Sequence, residues 1–509
     1  MPKFKQYSQY QSILLPPSLA DCLPENHICF VINDIVDNLD LSAIENTYSD
    51  SGSPAYDPRM MTKILFYGHT QGVRSSRKIE SKLNEDIACR FLAANQLPDH
   101  GTINLFRKNH LTVLKEIFPQ IVMLANGLGM IDPEDVSVDG TKVKASASRK
   151  NLFDQVEIDR LKKKFADSFA EAEAIDAEED KLFGDSIGYN AVPKAMADRE
   201  KRKQTIEKMK AKLEKLKQAE KQIKAKQAKA KTKEDKGLKK NSTSNITDPD
   251  ANLMKMKNRS FKMAYNAQFA SANQLIVAYN LNNEPTDTNS LTGMLKETEN
   301  NTGEKIKTVK ADAGYFSTSN IEFCLDNQID AYIPDEMKAA EERQNRNNEI
   351  PKYDRRNFQY DEGKDEFICP EGKVLRYKKL KSGGTRKYVG TACADCPNRL
   401  QCAKGKNRNL TINFRTEELL KTMRDKLNTE AGKSKYLERM SEIEPVIGNI
   451  KHNQNFNYFL CRGKPTVLIE LGLASTAHNL VKIFHWLKKN NQPRKEIQWN
   501  SLMRFRTAC

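Results

Sequence analysis

The residues best placed to do chemistry are acids at the ends of apolar runs. In residues 307–316, KTVKADAGYF, a β-type run closes on Asp312, with Gly314, Tyr315 and Phe316 behind it. Thr308 and Val309 favour a pleated strand, and Gly314 permits a turn. An acid leaving a buried strand sits where α/β folds place their chemistry. The pattern recurs in SVDGTKVKAS, where Val136, Val138, Val143 and Ala145 flank Asp139-Gly140-Thr141. This reads as a strand carrying Asp139 at or near a bend. Each acid has a plainer reading, Asp312 as a turn former and Asp139-Gly140 as a hairpin turn. Against it, both close apolar runs and both are followed by small residues that allow close approach.

A second set is made of thiols. Cys369, Cys393, Cys396 and Cys402 give C-x23-C-x2-C-x5-C, with Pro370-Glu371-Gly372 and Pro397 supplying turns. Cys393-x-x-Cys396 is a half-site for tetrahedral zinc and the other two thiols complete a four-thiolate set, although the spacing is looser than in a regular zinc ribbon. Such a site has no open position, so its zinc is structural. The alternative is four reduced thiols in a small β-subdomain.

The chain has 509 residues, which implies two or three domains or one core with large insertions. Lys and Arg outnumber Asp and Glu by 83 to 67, a net charge of +16. That sign favours a polyanionic partner such as nucleic acid, although a solvated basic surface gives the same balance. Ten cysteines, four of them clustered, read as a reduced intracellular protein rather than a disulfide framework. The start, MPKFKQYSQYQSILLPPSL, lacks a long apolar core and a small-residue cleavage pattern. The apolar stretch 467–487 is interrupted by Glu470, His478, Asn479, Lys482 and His485, so no ordinary membrane span is expected and the chain reads as soluble and cytoplasmic. His478 and His485 read as packing residues.

Residues 1–130 read as a helical N-terminal DNA-binding domain, with helices at 41–45, 58–68, 75–83 and 102–118. Asp57 before Pro58 is a capping signal. Arg74, Arg77, Lys78 and Lys82 place cations on one side of such a helix, where they could meet phosphates, though basic faces are common on exposed helices. Residues 154–247 are an insertion of different composition. From 154 to 182 there are ten acids against five bases, and from 199 to 240 six acids against eighteen bases. Leu161, Phe165, Ala172, Ile175 and Leu182, then Ile206, Met209, Leu213, Leu216 and Ile223, fall at helical spacing. An antiparallel helical hairpin with oppositely charged arms is expected, its surplus lysines at 224–240 left for solvent or DNA and 237–247 returning flexibly to the core.

Strands are expected at 261–270, 275–281, 305–311 and 330–333, with helices at 287–299 and 319–326. With the Asp139 strand the order is βββαβαβ, that of an α/β, RNase H-like mixed sheet, in which the first and fourth strands lie side by side and bring Asp139 to Asp312. The core is then discontinuous: 131–153 and 248–336 form the sheet, 337–410 is a Cys-rich β insertion, 411–490 holds the C-terminal helices and 491–509 is a basic tail. Helices at 416–429 and 433–453 precede the last one, 470–489. The second carries Tyr436 and Arg439 three apart, and Glu444 and Lys451 seven apart, each pair near one helical face.

Taken together, Asp139 in SVDGTKVKAS, Asp312 in VKADAGYFS and Glu444 in YLERMSEIEPVIGNIK resemble the DDE transposases of bacterial insertion sequences. The resemblance covers most of the chain, including YDPRMMTKILFYGHTQGVRSSRKIE near the N-terminus and the cysteine-bearing insertion before the glutamate. The family's third acid lies in a Tyr, Arg, Glu, Lys signature, which Tyr436, Arg439, Glu444 and Lys451 match. One departure is four residues, not the commonest three, between Arg and Glu, which keeps Glu442 as a lesser candidate. The resemblance implies two Mg2+ ions about 3.5–4 Å apart, held by Asp139, Asp312 and Glu444, serving hydrolysis at the element ends and then attack of the freed 3′-OH on target DNA. It implies that Tyr436, Arg439 and Lys451 steady the transposon end, that the partner is double-stranded DNA of the ends and target, and that a homodimer pairs two ends. A nuclease on the same sheet that cuts without rejoining, or an inactive zinc-bearing DNA-binding relative, is the alternative.

Overall fold

The computed structural model describes residues 18–48, 54–183, 193–229, 243–335, 351–403 and 405–502. Its N-terminal part is a set of short helices: α1 (Ile28–Asn38), α2 (Ser42–Glu45), α3 (Pro58–Thr70), α4 (Ser76–Glu85), α5 (Ile87–Leu92), α6 (His100–Asn109) and α7 (Leu111–Gly127). Local capping sets several starts. Asp57 accepts from the Arg59 and Met60 amides beside Pro58, Asp86 from Cys89, and Asp99 from Thr102. The single helix expected at 102–118 is two, because His110 leaves the helical region at φ −111°, ψ 30°. The sequence reading missed α1, which lacks a carboxylate or hydroxyl cap; the His27 ring accepts from the Cys29 amide instead.

The central sheet is built from β1 (Asp135–Lys144), β4 (Asn252–Lys255), β5 (Phe261–Ala272), β6 (Leu275–Asn282), β7 (Thr308–Ala311) and β8 (Asp330–Tyr332). Its order is β4-β5-β1-β7-β8, with β6 also on β5. The β1·β7 and β7·β8 pairs are parallel and the others antiparallel. First and fourth strands of the expected order, β1 and β7, are therefore neighbours. β5 and β6 turn tightly through Asn273 and Gln274, both at positive φ. Asp139-Gly140 forms neither a bend nor a hairpin turn: β1 runs straight through, with Asp139 opposite Phe269 and Gly140 opposite Gln268. Pairing along a buried strand overrides the local turn preference of Asp-Gly.

Between β1 and β4 lies the insertion. A short ribbon of β2 (Leu152–Asp154) and β3 (Thr243–Asn245) carries α8 (Gln155–Phe183) and α9 (Pro193–Lys229). The arms pack through Ile158, Phe165, Leu216, Ala219 and Ile223. One ion pair joining them, Lys162 to Glu220, has the reverse polarity to the bulk charge of the arms. The expected flexible return is ordered at its end: Asn245 donates to the Ser148 carbonyl and accepts from the Thr247 and Asp248 amides. Most of the lysines expected to be surplus, from 230 onward, lie outside the described residues.

After β6 come α10 (Leu291–Thr302), β7, α11 (Thr318–Asp326) and β8, and then a separate antiparallel sheet. Its strands are β9 (Gln359–Asp361), β10 (Glu366–Ile368), β11 (Val374–Leu380), β12 (Arg386–Gly390) and β13 (Asn409–Ile412), around a small core of Phe358, Phe367, Leu375, Tyr388, Leu410 and Ile412. The short α12 (Arg399–Cys402) lies between β12 and β13. Then come α13 (Phe414–Asn428), α14 (Glu430–Glu442), α15 (Glu444–His452), α16 (Lys464–Lys489) and the short α17 (Trp499–Leu502). The helix expected at 433–453 is interrupted at Ile443. Pro445 has no N–H to donate back and its ring collides with the carbonyl four residues earlier, so the helix must restart there.

One hydrophobic cluster runs from Ile28 to Trp499, so the N-terminal helices and the sheet share a core. α16 has the length and apolarity to cross a membrane, but 78% of its most apolar stretch is buried in this core. There His478 is fully buried and satisfied, one ring nitrogen bonded to Asn449 and the other to the Gln274 carbonyl. Burial pushes its pKa down to about 4 and that of His69 to about 3. Both groups bind protons more weakly folded than unfolded. Their contribution to stability is therefore complete above the unfolded value of about 6.5 and is lost as pH falls toward the folded values. Melting temperature should drop between pH 7 and pH 5, and His478→Gln should reduce that acid sensitivity.

Candidate active site

The last registered pair of the parallel β1·β7 ladder is Val138 with Ala311. Asp139 and Asp312 are each the next residue. Two acids 173 positions apart in the chain thus stand side by side where the parallel pairing ends, Asp312 just past the end of β7 and Asp139 in the middle of β1. Asp312 accepts from the Gly314 amide at 2.9 Å and opens a short 3-10 turn, and Asp139 accepts from the Gly140 amide at 2.7 Å. The Asp139 side chain is 19% exposed. Burial raises its pKa to about 6; the Arg439 guanidinium opposes this, and the Asp312 and Asp287 carboxylates add to it.

Alternation along β1 puts Asp135, Ser137, Asp139 and Thr141 on one face, and α14 and α15 lie across it. Lys435 meets Asp135 at 2.5 Å, Ser137 donates to Glu442, Arg439 meets Asp139 at 3.4 Å, and Lys451 donates to Thr141. Arg439 also lies 3.9 Å from Glu444, so one guanidinium links the two acids. The helix break separates the roles of Glu442 and Glu444. Glu442 is 17% exposed and pairs with Lys310 at 2.8 Å, whereas Glu444, 49% exposed, projects beside Arg439.

The fully buried Lys310 holds three carboxylates, Asp135 at 2.9 Å, Glu438 at 3.1 Å and Glu442 at 2.8 Å. Those three form a group, among the described residues, whose ligand atoms lie within 4.8 Å of one another. They are a poor place for a metal ion, because an ammonium already fills the space between them. The cluster instead fastens α14 to β7.

The other cations are distributed unevenly. Tyr436 packs partly buried against the core, with the Arg439 guanidinium 5.7 Å from its ring centre. Lys451 borders an open cleft of about 500 Å³ with Lys142, Lys255, Lys257 and Lys262, and Gly140 and Asp287 stand at its other edge. Burial and Lys257 lower the Lys451 pKa. Arg77 and Lys78 are exposed, and Lys82 pairs with Asp86 at 3.5 Å. Arg74 does not join them. It is 5% exposed, pairs with the buried Glu470 at 2.9 Å, donates to the Tyr458 and Asn455 carbonyls and stacks 4.5 Å from the Phe456 ring centre. A guanidinium so enclosed supports packing and cannot meet a phosphate.

Asp287 is the residue the sequence reading passed over. Read there as the start of a helix, it lies in the loop before α10, which begins at Leu291, and it reaches the two aspartates across β5. Asp139 and Glu444 lie beside the Arg439 guanidinium, and Asp312 and Asp287 lie close to Asp139, an excess of negative charge suited to hard cations with oxygen ligands.

All four clustered cysteines line one small cavity of about 20 Å³ in the five-stranded module. The Lys373 amide donates to Cys369 Sγ at 3.3 Å, and Gly390 leaves room for Cys393, whose Sγ would stand 2.3 Å from a Cβ there. Burial raises the Cys402 thiol pKa, and the other three thiols add to this.

Two family models match the chain. Residues 17–109, covering α1 to α6, match "Transposase domain (DUF772)", and residues 368–484, from the cysteine module into α16, match "Transposase DDE domain". Neither a curated protein nor a solved structure matches it. The second match spans Glu444 and its helix, and the first spans the basic helix α4. Both matches are to transposase families, and together they support reading the chain as an insertion-sequence DDE transposase.

Proposed function

We propose that this protein is a DDE transposase that binds the ends of an insertion sequence and catalyses Mg2+-dependent strand cleavage and strand transfer on an RNase H-like core. The supporting observation is that Asp139 and Asp312 follow the last registered pair of two adjacent parallel strands, under the helix pair that carries Arg439 and Glu444. Asp139, Asp312 and Glu444 would hold two Mg2+ ions, which supply activation of the attacking oxygen and stabilisation of the leaving one. Arg439 keeps Asp139 and Glu444 oriented toward each other and moderates their repulsion. Lys451, with the lysines bordering its cleft, offers phosphate contacts, and Tyr436 braces Arg439. Arg77, Lys78 and Lys82 on α4 are proposed to contact the phosphate backbone of end DNA. A homodimer pairing two ends and a cytoplasmic location complete the reading.

The test is Mg2+-dependent cleavage and joining of the element's own end DNA by wild type and Asp312→Ala. Loss of both steps in the variant is expected, and joining at the wild-type rate would refute the assignment. Cleavage without joining by the wild type would favour a nuclease. The cysteines are proposed to hold one structural Zn2+, drawn together from the cavity they line. Elemental analysis should find one zinc per chain, lost in Cys396→Ser with a lowered melting temperature; zinc-free wild-type protein would refute the site.

A further inference from the structure

Asp287 lies outside the Tyr, Arg, Glu, Lys signature and has no place in the three-acid reading, yet it is built into the same centre. Its Oδ1 accepts from Asn266 Nδ2 at 2.7 Å and from Gln268 Nε2 at 2.6 Å, two side chains on one face of β5. Glycines close behind Asp139 and Asp312 make way for it. A Cβ on Gly140 would stand 2.5 Å from Asp287 Oδ1, and a Cβ on Gly314 would stand 3.2 Å from Asp287 Oδ2 and 3.0 Å from Asp312 Oδ1. The carboxylate therefore fills the gap between the backbone after Asp139 and the turn after Asp312. This gives Gly140, in the middle of a strand, a reason to be glycine.

The partners of this carboxylate are neutral. Among the described residues no Lys, Arg or His nitrogen lies within the 4.0 Å of an ion pair with Asp287. A peg that only needed to accept two amide hydrogen bonds would work as well without a charge. A third carboxyl group set beside Asp139 and Asp312, with no cationic side chain at ion-pair distance, is an arrangement that a bound cation would favour.

We propose that Asp287 is a fourth ion-binding carboxylate of the centre, holding a divalent cation with Asp139 and Asp312 through Oδ2 while the two amides fix Oδ1. The proposal rests on the reading of Asp139 and Asp312 as ion ligands. It adds a ligand from the loop between β6 and α10 to those from β1, β7 and α15.

Mn2+ binding to the full chain without DNA, followed by electron paramagnetic resonance, tests it. Asp287→Asn keeps an acceptor for the β5 amides and removes the charge. It should weaken the tighter Mn2+ site by at least the tenfold typical of losing even an outer partner of a metal ligand. Asp139→Asn should do the same. Wild-type Mn2+ affinity in Asp287→Asn alongside a loss in Asp139→Asn would overturn the role of Asp287 alone. Wild-type affinity in both Asp139→Asn and Asp312→Asn would bring down the ion-ligand reading and this proposal with it. Thermal melts establish that each variant is folded, and Asp287→Ser, smaller and still able to accept from Gln268, takes the place of an Asp287→Asn that is not.

Discussion

Glu444→Gln is expected to reduce cleavage and joining of end DNA by roughly the hundred- to thousandfold that losing one fixed transition-state contact costs, with little change in melting temperature. Glu442→Gln, two residues away, should do the reverse. Glu444 is half exposed, and the ion pair found for it is the loose 3.9 Å approach to Arg439, so its removal leaves the fold undisturbed. Glu442 is bound to Ser137 and to the buried Lys310, so its charge supports the docking of α14 rather than the chemistry. The measurement is paired: end-DNA turnover and thermal unfolding of both variants under the same conditions. If Glu442→Gln abolished turnover at unchanged stability while Glu444→Gln retained it, the third acid would be Glu442.

The second large effect concerns Lys310. Its ammonium is inaccessible to water and neutralises Asp135, Glu438 and Glu442 together. Lys310→Met preserves the bulk of the side chain and leaves those carboxylates facing one another. Removing one partner from a buried ionic group costs about 3–5 kcal/mol, with the lower end expected here because Glu438 is 40% exposed and partly solvated. Because Lys310 precedes Asp312 by two residues and grips α14, the variant should lose turnover as well as stability. Denaturant unfolding gives the first quantity. Lowering the pH toward 4 should narrow the difference from wild type, as protonation relieves the uncompensated carboxylates.

The adjacency of Asp139 and Asp312 was legible in the sequence because the strand order places β1 beside β7, although the apolar run around Asp139 continues as one strand instead of ending at it. The place of Glu444 beside Arg439 was suggested only by the spacing of its neighbours. Asp287 was not, because it lies in the polar stretch NNEPTDTNS and its partners Asn266 and Gln268 are on another strand. Arg74 misled for the same reason. Locally it belongs to a run of cations at the start of α4, yet its charge is satisfied by Glu470, 396 residues later. Periodicity reports which face of an element is apolar; it does not report where a single buried charge finds its counterpart. The breaks at His110 and Ile443 fall between, since Pro445 signals the second while nothing local announces the first.

The interruption at Ile443 also settles a question of angular phase. An unbroken α-helix turns about 100° per residue, so an acid four positions after Arg439 would be offset by about 40° and one five positions after by about 140°. The commonest family spacing is the four-residue step, which a straight helix accommodates. This chain takes the five-residue step, and a straight helix would swing Glu444 away from Asp139. The break at Ile443 falls between Arg439 and Glu444, and Glu444 comes within 3.9 Å of the guanidinium despite the longer step. The longer step and the helix break ahead of Pro445 therefore occur together between Arg439 and Glu444.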